Sequence, residues 1–258
     1  MGTSRISIPF RQRKEEGRKC LIINLCAGDP SWDDASSIAR ELVGAGADMI
    51  VLGVPFSDPV DGPVIQAAFG RALAAGTDLA GIIGLVGKLK SQVQVPLLLM
   101  SYYNPLLQYG LKSLASDLQN AGGDGLIVPD LPWEESPPLK NKLEETGLAL
   151  VPLVAPNTGE ERLEKICSTA GGFVYCLSPH GTGEDRECGL MEYLTKVARF
   201  TRLPVVIGFG FDTEAHVQAR SLSPLWDGVI VENQVIRVLH EEGLDAAVKL
   251  VQSLRGFF

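Results

Sequence analysis

The stretch "ADMIVLGVPFSDPVDGP" (47–63) is an apolar run ending in a short, acidic, proline-rich loop that holds Asp58 and Asp61. A carboxylate presented on such a loop can serve as a general acid or base. Asp before Gly-Pro also suits an Asx turn or a helix N-cap, so the surroundings of Asp61 leave both uses open. Asp130, in "PDLPWEE" (129–135), faces the same choice, and a cap on the following helix is the expectation there. Gly208 and Gly210, in "GFGF" (208–211), would let backbone N–H groups approach a phosphate, or would serve only close packing at a strand end. Tyr102 and Tyr175 leave the ends of apolar runs, positions that suit a pocket or core packing alike.

Other chemistries find little support. The three histidines, His180, His216 and His240, have no metal-ligand spacing. His216 and His240 fall in helical patterns and are expected at the surface. His180 lies in the polar segment "SPHGTGEDREC" (178–188), expected to be a mobile loop over a ligand. The five cysteines form no CxxC pair, which points to a reducing compartment with neither a disulfide frame nor a zinc site. The net charge of −8 comes without a basic patch, so nucleic acid is not an expected partner. The N-terminal stretch has no apolar signal core, and no apolar run reaches the ~20 residues of a membrane span. A cytoplasmic protein without membrane contact is expected.

These residues must be positioned by something. Eight apolar runs, at 20–26, 48–54, 95–101, 124–130, 148–155, 172–178, 203–209 and 227–233, are apolar at successive positions, the pattern of parallel strands buried on both faces. Amphipathic segments of helical length lie between them, several ending in Gly before the next run. About eight βα units in 258 residues predict a (β/α)₈ barrel, with an open doubly wound sheet as the alternative. No linker or low-complexity segment divides the chain, so residues 1–258 are read as one barrel domain. In such a barrel the chemistry lies in the loops after the C-terminal strand ends. Those loops hold Asp61, Tyr102, Asp130, the 178–188 segment, Gly208–Phe211 and Glu232–Gln234.

Taken in order, "GDP" near the start, "LGVPFSDPV-DGP-IQ", "LLLMSYYNPLL-YG", "GLIVPDLPWEES", "LVAPNT" and "GFGF" resemble the tryptophan synthase alpha chain family, from about residue 20 to residue 250. The resemblance implies a (β/α)₈ TIM barrel that cleaves indole-3-glycerol phosphate by a retro-aldol reaction to indole and glyceraldehyde 3-phosphate, without cofactor or metal. It also implies a beta chain carrying pyridoxal phosphate, bound at the C-terminal face of the barrel. Asp61 matches the family Asp that bonds the indole N–H, in a loop one residue short of the usual form. Asp61 and Tyr175 are the residues expected at the chemistry. Tyr102, Ile127, Leu153 and Phe209 match other lining positions, and the aromatic position in the first strand falls on Asn24. Thr182, Gly183, Gly208 and Gly210 match the lid and phosphate positions.

Two positions depart from the family. The second-strand Glu that moves protons at indole C3 is Val51, and the Gly-Ser of the phosphate site is Glu232-Asn233. Valine transfers no proton, and a positioned acid–base group contributes ~10²–10⁴ in rate. A carboxylate about 4 Å from a phosphate opposes each of its charges by ~1–4 kcal/mol. Glu232 is expected to satisfy the helix N–H groups itself, on the far side of the barrel from the second strand. The expectation is therefore a barrel that has lost or weakened the family activity and serves as a binding or activating partner of a beta-like chain. Two alternatives stay open: a lyase acting on a different, unphosphorylated indole-like substrate with Asp61 and either Glu232 or Asn24, or an active indole-3-glycerol-phosphate lyase with a substitute base.

Overall fold

The protein is described from a computed structural model, over residues 5–177, 184–208 and 223–258. Its strands are β1 (Cys20–Cys26), β2 (Met49–Gly53), β3 (Leu97–Met100), β4 (Gly125–Ile127), β5 (Ala149–Val151), β6 (Leu153–Val154), β7 (Val174–Leu177), β8 (Val205–Gly208) and β9 (Gly228–Val231). All pairings are parallel, in the order β5-β4-β3-β2-β1-β9-β8-β7-β6. The fifth apolar run supplies both ends of this order. Pro152 has no N–H to give a ladder, and it divides that run into β5, paired with β4, and β6, paired with β7. Tyr175 N donates to Pro152 O at 2.9 Å across the seam. The nearly closed sheet is thus a TIM barrel, and the open sheet is set aside.

Two units carry more helix than the spacing suggests. Between β2 and β3 lie α3 (Pro63–Ala74) and α4 (Leu79–Lys90), and between β3 and β4 lie α5 (Tyr103–Tyr109) and α6 (Leu111–Asn120). The remaining helices are α1 (Ser7–Glu15), α2 (Ala35–Gly44), α7 (Pro137–Glu145), α8 (Glu160–Thr169), α9 (Glu184–Phe200), α10 (Asn233–Glu241) and α11 (Leu244–Phe257). Because α9 starts at Glu184, the segment read as a loop over 178–188 is helical in its second part. Among the described residues no single helix is long and apolar enough to cross a membrane.

Strand alternation splits the core in two. Leu21, Ile23 and Leu25 of β1 face the helix layer, whereas Ile22 joins Met49, Val51, Leu98, Ile127, Val151, Tyr175, Val206 and Ile230 inside the barrel. At the N-terminal end, α1 closes the barrel with Ile6 and Phe10, whose ring lies 5.7 Å from that of Phe173.

Three aspartates clasp this end. Asp48, Asp124 and Asp227 each precede a strand, and each accepts on Oδ2 from a backbone N–H of the previous strand, at Leu21 (2.8 Å), Leu97 (2.9 Å) and Val205 (2.9 Å). Buried carboxylates need such partners. Asp48 also takes Arg13 Nε at 2.7 Å and Arg255 Nη1 at 2.6 Å, which ties α1 and α11 to the barrel floor. The opposite end is left for the site.

Candidate functional site

The register decides which side chains meet at the C-terminal mouth. Asn24 of β1 pairs with Val51 of β2, and Ile23 of β1 pairs with Val231 of β9. Glu232, one residue past β9, therefore stands level with Asn24, and β1 alone separates its strand from β2. The expectation that Glu232 lies on the far side of the barrel from the second strand is wrong. The expectation that it caps the helix is also wrong. Glu232 occupies the N-cap position of α10, with φ −128° and ψ −81°, but its side chain takes no hydrogen bond from the helix. It turns into the barrel, where Oε1 accepts from Asn24 Nδ2 at 2.5 Å. Asn24 is wholly buried, and its Nδ2 also lies 3.4 Å from Met100 Sδ.

Position 51 itself offers no chemistry. Val51 is fully buried among interior apolar side chains. The carboxyl group of this region comes from β9 instead. Its acidity is far from ordinary: enclosure pushes the Glu232 carboxyl up from 4.5 to about 8, the negative charge of Asp61 adds to the rise, and the Asn24 bond opposes it. The residue keeps some exposed surface, so its proton can exchange with water. Enclosure therefore favours the protonated form of Glu232.

Asp61 is neither a cap nor an Asx turn in the described hydrogen bonds. Gly62 is the N-cap of α3, and Pro63 opens the helix without an N–H. The Asp61 carboxylate instead accepts from Tyr102 Oη at 2.6 Å, and Val60 N donates to the same phenol oxygen at 2.8 Å. Phe56 stacks on Tyr102, ring centroids 4.9 Å apart. The loop is thus pinned to the strand-three exit through the adjacent residues Val60 and Asp61. Burial, then the Asp61 bond, push the Tyr102 phenol up, so it stays a donor.

Tyr175 lies buried on the inner face of β7. Burial comes first, then the charges of Glu232 and Asp61, in pushing its phenol upward. The three groups are therefore within electrostatic reach of one another. Gly208 makes room for the phenol: a Cβ there would stand 2.5 Å from Tyr175 Oη. Ile127 belongs to the same interior cluster, and Leu153 packs against it.

The other expected residues divide clearly. Asp130 is a cap, but of α5 rather than of the helix after it: its Oδ1 accepts from Tyr103 N at 2.8 Å. Asn233 begins α10 exposed to solvent, and His240 is exposed on the same helix. His180, Thr182, Gly183, Phe209, Gly210 and His216 lie outside the described residues. Sequence reasoning did not find Phe56 or Met100 as supports of Tyr102 and Asn24. It also did not find the part-buried bidentate pair of Asp29 with Arg71 (2.6 and 3.0 Å) that ties the first loop to α3. No motif announces these pairings. Among the described residues no group of three or more His, Cys, Asp or Glu side chains could hold a metal ion.

The chemistry available is that of a carboxyl group held weakly acidic by enclosure, bonded to Asn24 and within electrostatic reach of Tyr175 and Asp61. The family model described as "Tryptophan synthase alpha chain" matches residues 10–255 of the chain. The chain is 44% identical to the tryptophan synthase alpha chain of Roseiflexus sp. (strain RS-1), over 98% of its own length and 100% of that protein. It is likewise 44% identical to that of Halorhodospira halophila (strain DSM 244 / SL1), over 98% and 93%. Among solved structures it is similar to tryptophan synthase subunit alpha from Legionella pneumophila str. Paris, with a TM-score of 0.91 and 32% identity over 99% of this chain and 98% of that one.

Proposed function

The chain belongs to the tryptophan synthase alpha chain family, and on that basis we propose that it is a carbon–carbon lyase for an indole-type glycerol phosphate, with Glu232 in place of the acid–base group missing at Val51. The observation that carries this reading is the Asn24–Glu232 bond, which holds the carboxyl inside the barrel, where enclosure and the charge of Asp61 favour its protonated form. Glu232 gives its proton to C3 of the ring. Positive charge then rests on the ring nitrogen, where Asp61 accepts the N–H and balances it. The Glu232 carboxylate takes the proton of the side-chain hydroxyl next to C3. The bond from that carbon to C3 breaks and its electron pair returns to the ring. The ring compound and an aldehyde leave, and Glu232 is again protonated. A positioned group of this kind contributes ~10²–10⁴ in rate.

The same proton eases the phosphate problem. A neutral Glu232 sets no full charge against a substrate phosphate, and it leaves the first-turn N–H groups of α10 free of a side-chain cap. The activity is weaker than that of a chain with glycine at this position, because a bulky side chain enters the cradle. Release of indole from indole-3-glycerol phosphate tests the reading directly.

One observation favours a second reading. Val51 seals the family acid–base position with methyl groups, as in a barrel that no longer cleaves and instead binds and activates a beta-like, pyridoxal-phosphate-carrying chain. The C-terminal face exposes Val60 and Leu107 for such a partner. Complex formation with a beta chain, without indole release at any pH, would select this reading.

A further inference from the structure

Only half of the Asn24 amide is used. The side chain is wholly buried, and its Nδ2 is committed to Glu232 Oε1 and Met100 Sδ. The Met100 thioether, at the end of β3, can only accept, so it takes Nδ2 and leaves Oδ1 as the other end. The other end, Oδ1, has no hydrogen-bond partner. It faces β2, 3.7 Å from where a Cβ on Gly53 would stand, and the register partner of Asn24 is Val51. Neither residue offers it a side-chain donor. A buried carbonyl oxygen in this state is costly, and native structures pair such groups with a protein, water or ligand donor. The oxygen belongs to the same interior as Glu232, whose position its own amide sets.

We infer that Asn24 determines specificity: its Oδ1 accepts a hydrogen bond from a hydroxyl or amine carried on the substrate's aromatic ring, so the pocket takes a ring-hydroxylated or ring-aminated indole in preference to indole itself. The inference rests on reading the barrel mouth as an aromatic pocket. A site built to bond a donor rejects the analogue that lacks it, because its own polar atom is then left unpaired. The committed Nδ2 makes the preference directional. A ring substituent that only accepts, such as a methoxy group, gains nothing at Oδ1.

The test is equilibrium binding of indole, the ring hydroxy- and aminoindoles and the matching methoxyindoles to the full chain and to Asn24→Leu, each confirmed folded by circular dichroism. One hydroxy or amino isomer is expected to bind the wild-type chain at least about tenfold tighter than indole, the size of one buried hydrogen bond. Its methoxy counterpart shows no gain, and Asn24→Leu loses the preference. Wild-type binding of indole as tight as that of every donor-bearing isomer overturns the inference and leaves the aromatic pocket standing. A preference that survives in Asn24→Leu also overturns it. Failure of the wild-type chain to bind indole or any of its derivatives overturns the aromatic-pocket reading together with the inference.

Discussion

Asn24 of β1 and Glu232, the residue after the adjacent strand β9, are 208 positions apart in the chain, and a 2.5 Å hydrogen bond joins the amide of one to the carboxyl of the other. The barrel has no carboxylate at Val51, and this pair places one at its mouth from the opposite flank of β1.

The pair dictates a pH dependence. On the proposed mechanism Glu232 must carry its proton to start the reaction, and enclosure pushes its carboxyl up to about 8. The rate is therefore expected to fall as pH rises through about 8. Stability follows the same sign: the raised carboxyl favours the protonated fold, so this contribution is complete below the ordinary value of 4.5 and is lost as pH rises toward 8. Denaturant midpoints across that window, compared between the wild type and Glu232→Gln, should show the slope only in the wild type.

Removing the amide should move that profile. The Asn24 bond lowers the Glu232 carboxyl, against the larger effect of burial. In Asn24→Leu the alkaline fall is expected at higher pH than in the wild type. An unchanged profile in a folded variant would separate Asn24 from the acid.

On the proposed mechanism Tyr102 acts through Asp61, whose carboxylate accepts its hydroxyl. Tyr102→Phe removes the 2.6 Å bond to Asp61 and the acceptor of Val60 N together. A loss of about tenfold in kcat/KM is expected, one hydrogen bond to a charged group. Asp61→Asn should lose about 10²-fold or more, since the charge itself is removed. Steady-state kinetics of the two variants check the order.

Gly208 tests the packing account of Tyr175. Gly208→Ala places a methyl 2.5 Å from the phenol oxygen, and overpacking of this kind costs about 1–3 kcal/mol. At the opposite end, Asp48→Ala strands Arg255 and the Leu21 N–H beside a buried gap, and loss of one partner in a buried pair costs about 3–5 kcal/mol. Urea unfolding should rank Asp48→Ala as the more damaging.

The barrel was legible because its signal is repeated. Strands are apolar at successive positions, as at Leu97–Met100, and only a barrel or a covered sheet buries both faces. Asp61 was legible as a loop carboxylate, but its competing use as a cap was settled only by Tyr102, 41 positions away. Glu232 was the largest error. Helix-end chemistry predicts a carboxylate that caps, whereas the backbone at φ −128° and ψ −81° sends it inward, and only the barrel register shows Asn24 waiting there. The split at Pro152 was missed, since 148–155 reads as one apolar run, although proline cannot donate to a ladder.

The most direct test compares indole release from indole-3-glycerol phosphate by the wild type and by Glu232→Gln at pH 7, with Gln keeping the shape and the bond to Asn24. The account predicts measurable release by the wild type and a loss of about 10²-fold or more in the variant. Equal release by both proteins, or none by the wild type, would contradict Glu232 as the acid that replaces the group missing at Val51.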